Sequence, residues 1–152
     1  TENLEELVLT QDIIYVGGGN TKSMLAVWKE WNLHEILRNA YEKGIVMSGV
    51  SAGAICWFDK GVTDSYAEEL AIIDCLGLVE GIACPHFDEE KEREPYVNNV
   101  INSGIIESCI CIEGNCALHV KNNIEYSSID FGIGRNCYRV YKENNTLKKE
   151  II

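Results

Sequence analysis

The sequence contains no Cys-x-x-C pair, only two prolines, and no apolar run near the roughly 18 residues that a membrane span needs. The first absence removes zinc-knuckle and thioredoxin-type chemistry. The second, together with the lack of any low-complexity tract, argues against a disordered chain. The third excludes a helical membrane anchor. Thr1-Glu2-Asn3-Leu4-Glu5-Glu6 is neither cationic nor apolar and does not read as a secretory leader. Positive charge is also scarce: 13 Lys and Arg stand against 24 Asp and Glu, a net charge of −11. Such a surface repels phosphate backbones, so neither a nucleic-acid partner nor a membrane partner is expected.

What is present suits one domain spanning residues 1–152, 46% hydrophobic and long enough to bury a core without staples. The seven cysteines are an odd number and scattered, as expected of small buried hydrophobes in a reducing, cytoplasmic setting. Cys109 and Cys111 share one face of a strand. A metal site from Cys111, Cys116 and His119 lacks the usual paired spacing, so no metal and no cofactor is expected.

Read along the chain, Ile13-Ile14-Tyr15-Val16 is a short strand that ends in three glycines. Met24, Leu25, Trp28 and Trp31 then recur at helical spacing, with Asn20 and Thr21 as capping residues. A second helix carries Leu33, Ile36, Leu37, Ala40 and Tyr41 on one face, and Gly44 stops it. Ile45-Val46-Met47 reads as a buried strand, and Ile55 to Phe58 as the opening of another helix. Asp59 to Glu80 reads as a loop with a short helix. Ile82-Ala83-Cys84 is a strand, Glu89 to Ser103 a helix in which Pro95 must sit in the first turn or break it, and Gly104 its end. Ile110 to Ile112, Ala117 to Val120, Ile124 to Tyr126 and Tyr138 to Tyr141 are strands, with Lys121-Asn122-Asn123 turning an antiparallel C-terminal hairpin. The alternation predicts an α/β fold: a mostly parallel sheet with helices on both faces.

Three segments could carry chemistry. Gly49-Val50-Ser51-Ala52-Gly53 is a G-x-S-x-G between a buried strand and a helix, the setting that a nucleophile elbow requires. Small neighbours suit the tight turn that pushes a serine Oγ outward, and the Ala52 N–H at a helix start can donate to an oxyanion. Gly17-Gly18-Gly19-Asn20-Thr21 puts bare backbone amides at a strand end, and fits neither a nucleoside-triphosphate loop nor a dinucleotide fingerprint. Both loops leave the carboxyl ends of strands, where open α/β sheets place their sites. Cys84-Pro85-His86-Phe87 sets a histidine at a third strand end, whereas His34 and His119 lie on a helix surface and within a strand. A serine needs such an imidazole near neutral pH. The acid that would orient it is open on spacing alone, among Glu113, Asp64, Asp74, Asp88 and Glu89.

Ile14-Tyr15-Val16-Gly17-Gly18-Gly19-Asn20-Thr21, Gly49-Val50-Ser51-Ala52-Gly53-Ala54 and Pro85-His86-Phe87 together resemble peptidase E (aspartyl dipeptidase) and the related cyanophycinases. The resemblance covers the chain from about Asp12 onward. It implies a class I glutamine amidotransferase-like fold and a serine peptidase acting on small, Asp-containing peptides. Ser51 matches the nucleophile, His86 the general base and Glu113 the acid. The resemblance also puts an oxyanion hole at Gly18, Gly19 and Ala52, and substrate contacts at Asn20, Thr21 and Arg93. Only Thr1 to Gln11 precede the first strand, where the family carries further strand and helix. That difference predicts exposed sheet edge or apolar surface, with either a fragment or a homo-oligomer whose neighbour fills the gap. The alternative to an enzyme is a catalytically inactive binding or assembly module on the same fold.

Overall fold

The computed structural model describes residues 3–66 and 69–152. Fifteen elements follow one another: α1 (Leu4–Leu9), β1 (Ile13–Val16), α2 (Thr21–Glu30), α3 (Leu33–Glu42), β2 (Val46–Gly49), α4 (Ala52–Ile55), β3 (Phe58–Tyr66), β4 (Glu69–Asp74), β5 (Val79–Cys84), α5 (Arg93–Asn102), β6 (Ser108–Ile112), β7 (Cys116–Lys121), β8 (Glu125–Asp130), β9 (Cys137–Glu143) and β10 (Thr146–Ile151). Asn20 caps α2 by accepting the Ser23 N–H at 2.9 Å, and Gly44, at φ 87°, releases the chain from α3 into β2.

The main sheet is mixed, in the order β10-β9-β6-β5-β3-β4. Its β3/β5 and β5/β6 pairs are parallel; β3/β4, β6/β9 and β9/β10 are antiparallel. The expectation of a mostly parallel sheet is therefore corrected. Its error lies in 59–80, read as a loop with a short helix. That stretch supplies most of an antiparallel β3/β4 hairpin, with Lys60 opposite Asp74 and Tyr66 opposite Glu69. The hairpin escapes a pattern reading because the burial along β3 does not alternate: Gly61, Val62 and Thr63 are buried in succession. A Cβ at Gly61 would press on the Ile55 side chain, 2.6 Å from Cδ1. The helix expected over Ile55 to Phe58 is instead α4, which ends where it was to begin.

Alternate residues of β5 and β6 enter two separate cores, so the sheet buries both faces. Ala83 and Ile110 join Leu25, Leu37 and Ile55 from α2, α3 and α4. Cys84, Cys109 and Cys111 join Val97, Val100 and Ile101 from α5. Helices on both faces follow directly, and each buried Leu, Ile or Val contributes about 1.5–3 kcal/mol. All seven cysteines are free thiols. A second sheet holds only β1 and β2, parallel, with Tyr15 beside Ser48 and Val16 beside Gly49. Ile13 (62%), Tyr15 (67%) and Val46 (55%) stand exposed on this pair. β7 and β8 form the expected hairpin around 121–124. Among the described residues, no helix is long and apolar enough to cross a membrane.

Candidate active site

β2 delivers the chain into the turn before α4 at Ser51, whose φ of 56° and ψ of −118° lie outside the basins open to an L-residue. The two flanking glycines make that turn feasible. A Cβ on Gly49 would overlap the backbone of Gly53 and Val16, and one on Gly53 the backbone of Val16 and Gly17. β1 and the start of α4 are thus in backbone contact, reinforced by Val50 N–H donating to Val16 O at 3.1 Å. The same contact brings the glycine loop to the serine: a Cβ on Gly18 would lie 3.3 Å from Ser51 Cβ and 3.8 Å from Oγ.

His86 arrives from the end of β5, also with a positive φ, 53°. Its Nε2 lies 2.9 Å from Ser51 Oγ, so two segments 35 residues apart meet at hydrogen-bond distance. Eight non-glycine residues among those described have positive φ, and six are asparagine. Asparagine and histidine tolerate this region, and serine does so less readily. The two that are not asparagine, Ser51 and His86, meet at one spot.

The imidazole's other nitrogen, Nδ1, lies 2.7 Å from Glu89 Oε2. Glu113, the acid implied by the resemblance, is not on the imidazole: its Oε2 accepts the Asn136 N–H at 3.0 Å. The Glu89 and Glu90 N–H groups both donate to His86 O, a turn that brings the side chain three positions on back to the ring. The sequence carries His-x-x-Glu directly after proline, but spacing alone leaves Glu89 level with the other acids. Of the others, Asp88 accepts Gly114 N–H at 2.7 Å and pairs with Arg135 at 2.9 Å, and Asp74 pairs with Lys60 at 3.3 Å.

The three residues expected to contact substrate each make bonds within the fold. Asn20 is occupied as the α2 cap. Thr21 is buried, its N–H on Ser65 Oγ and its hydroxyl taking a hydrogen bond from Thr63. Arg93 is 3% exposed, donating to Glu90 Oε2 at 2.6 Å and Val62 O at 3.1 Å. Burial works against the guanidinium's charge, but Glu90 and the Cys84 sulfur outweigh it and hold its pKa above the usual value. Glu90 and Arg93 are i, i+3 neighbours, so the pair is a local one. Ala52 follows the serine as the first residue of α4. The Gly53, Ala54 and Ile55 N–H groups take the Val50 and Ser51 carbonyls, and among the described residues the Ala52 N–H has no acceptor within the chain.

Ser51, His86 and Glu89 border a cavity of about 960 Å³, walled by Met47, Trp57, Leu78 and Leu118 among others. No three His, Cys, Asp or Glu side chains among the described residues gather in a way that could hold a metal, Cys111, Cys116 and His119 included. Chemically, a hydroxyl in contact with an imidazole that is itself held by a carboxylate is the arrangement of nucleophilic acyl transfer.

Comparison with known proteins supplies the family. The sequence pattern of Peptidase family S51 matches residues 1–125. The chain belongs to that family, which is the assignment its resemblance to peptidase E implies. It is similar to the uncharacterized peptidase YgaJ of Bacillus subtilis (strain 168), with 43% identity over 140 residues, covering 92% of this chain and 60% of that protein. It is also similar to the uncharacterized peptidase Lin0382 of Listeria innocua serovar 6a, with 31% identity over 97 residues, 58% of this chain and 46% of that protein. The chain thus spans between about half and three-fifths of the length of these relatives.

Proposed function

We propose that this chain is a serine peptidase that cleaves small peptides through an acyl-enzyme, on a fold like that of the class I glutamine amidotransferases. The observation carrying the reading is the 2.9 Å contact between Ser51 Oγ and His86 Nε2, with Ser51 held in strained backbone. Ser51 Oγ attacks the scissile carbonyl carbon while its proton passes to Nε2. The Ala52 N–H, with an amide of the Gly18–Gly19 loop, stabilises the negative oxygen of the tetrahedral intermediate. Collapse breaks the C–N bond, and Nε2 returns the proton to the leaving amine. Water then attacks the ester by the same route in reverse, freeing the acid and restoring the serine. Glu89 fixes the ring's tautomer and stabilises the imidazolium that forms in both halves.

The peptide's side-chain preference does not follow from Arg93, which is committed to Glu90 and Val62. An Asp-containing substrate is therefore the hypothesis to test first rather than one this arginine supports. Seven free thiols fit a cytoplasmic, reducing location. The test is covalent labelling by a fluorophosphonate. The reading expects one adduct, on Ser51, and none in Ser51→Ala. Folded protein that takes no label would instead favour a binding or assembly module, the second reading, to which the exposed Ile13, Tyr15 and Val46 lend support.

A further inference from the structure

The loop from Glu113 to Asn115 lies against the carboxylate that holds the imidazole. At Gly114 the approach leaves no room for a side chain. A Cβ there would collide with the Glu89 carboxyl group and lie 3.0 Å from its Cγ. No backbone strain is needed to account for glycine here, since Gly114 is not among the residues of positive φ. The constraint is the neighbouring carboxylate itself.

The loop is held in that position from two sides. Gly114 N–H donates to Asp88 Oδ1 at 2.7 Å, and Asp88 Oδ2 pairs with Arg135 Nη1 at 2.9 Å. Glu113 Oε2 accepts the Asn136 N–H at 3.0 Å. Phe87 N–H donates to Ile112 O at 3.1 Å, tying the histidine's own segment to the end of β6. Asp88 and Glu113, two of the acids that spacing left open, therefore fasten the loop whose glycine faces the third.

We propose that Gly114 is a positioning residue: its bare backbone backs the Glu89 carboxylate and keeps it on Nδ1 of His86. The proposal rests on the serine peptidase reading and on Glu89 as the orienting acid. Glu89 is half exposed, so without a wall it has other rotamers and water to choose from. A flat glycine surface lets the carboxylate sit between ring and loop, whereas an added methyl would displace it. Displacement on the scale of 1 Å in a catalytic constellation costs on the order of 10²-fold in rate.

The experiment is a double-mutant cycle read by fluorophosphonate labelling of Ser51, with the maximal labelling rate and the apparent affinity for the probe measured separately. Gly114→Ala is expected to lower the maximal rate by about 10–10²-fold and leave apparent affinity unchanged, because the probe's own contacts are untouched. Glu89→Ala lowers it too. The double variant should label within about twofold of Glu89→Ala alone, since the methyl then has no carboxylate to move. A Gly114→Ala rate near wild type overturns the proposal, and so does a double variant slower than Glu89→Ala by the full Gly114→Ala factor. If Gly114→Ala does not fold, the double variant decides: it folds if the collision is with Glu89, and its failure to fold overturns the proposal. An unchanged rate in Glu89→Ala would remove Glu89 from the mechanism, whereas absence of label on wild-type Ser51 would remove the peptidase reading itself.

Discussion

Replacing Ser51 by glycine should abolish labelling and turnover yet make the protein more stable than Ser51→Ala. The pair isolates the strain at the elbow, because both variants lose the hydroxyl and its 2.9 Å bond to His86. Only glycine also relieves the backbone. Residues held in sparsely populated regions cost about 1–3 kcal/mol. The ψ of −118° puts Ser51 well away from the small left-handed basin, where ψ is positive, so the upper part of that range applies. Against this stands the greater freedom that glycine loses on folding, about 0.5–1 kcal/mol relative to alanine. The net advantage of Ser51→Gly over Ser51→Ala is then about 1–2 kcal/mol, or roughly 3–6 °C in melting temperature for a domain of this size. Calorimetry on the two inactive variants, supported by urea midpoints, measures it. Equal stability, or Ser51→Gly below Ser51→Ala, would refute the claim that the nucleophile is held in strained backbone.

Glu89→Gln should cut turnover by 10²-fold or more, as wrong-tautomer substitutions in such triads do, while Glu113→Gln loosens its own loop and has the smaller effect; the opposite ranking would return the acid to Glu113. Arg93→Met should cost about 1–3 kcal/mol of stability, by leaving Val62 O without its buried donor, and the ratio of kcat/KM for Asp-bearing over Leu-bearing peptides should not move. A collapse of that ratio with stability unchanged would restore Arg93 as a substrate contact. Burial pushes the Cys75 and Cys137 thiols up to about 12 from a usual value near 9. The folded state therefore holds protons that the unfolded chain has released, so stability is full below about pH 9 and falls as pH rises toward 12. Urea midpoints from pH 8 to 11 should decline, and less steeply in Cys137→Ala; an equal slope would discount the buried thiol.

The elbow is legible in the sequence because every constraint on it acts within a few residues or across one strand pair. Gly49, Ser51 and Gly53 sit in five consecutive positions, and the strand before and the helix after are visible from Ile45-Val46-Met47 and the apolar run at Ile55. His86 is legible for a related reason: proline ends β5 and leaves the next side chain at the sheet's rim. The carboxylate beside the ring is a different matter, since it depends on the turn after β5 in which the Glu89 and Glu90 N–H groups donate to His86 O. That turn carries Glu89 to Nδ1, but Asp88, Glu89 and Glu90 are consecutive acids, and residue types do not say which of them faces the imidazole. Asn20, Thr21 and Arg93 mislead in the opposite way. Each carries a polar group suited to a substrate, but the fold uses that group first, as a helix cap, as a buried hydroxyl against Thr63, and as a guanidinium locked under α5. A polar side chain beside a catalytic loop is available for substrate only when the backbone around it is already satisfied. At the Gly17–Gly19 loop the capping demand of α2 consumes Asn20, and what remains facing Ser51 is the backbone of Gly18. Main chain rather than a polar side chain therefore lies against the serine at this loop, a property that side-chain motifs register only as glycine.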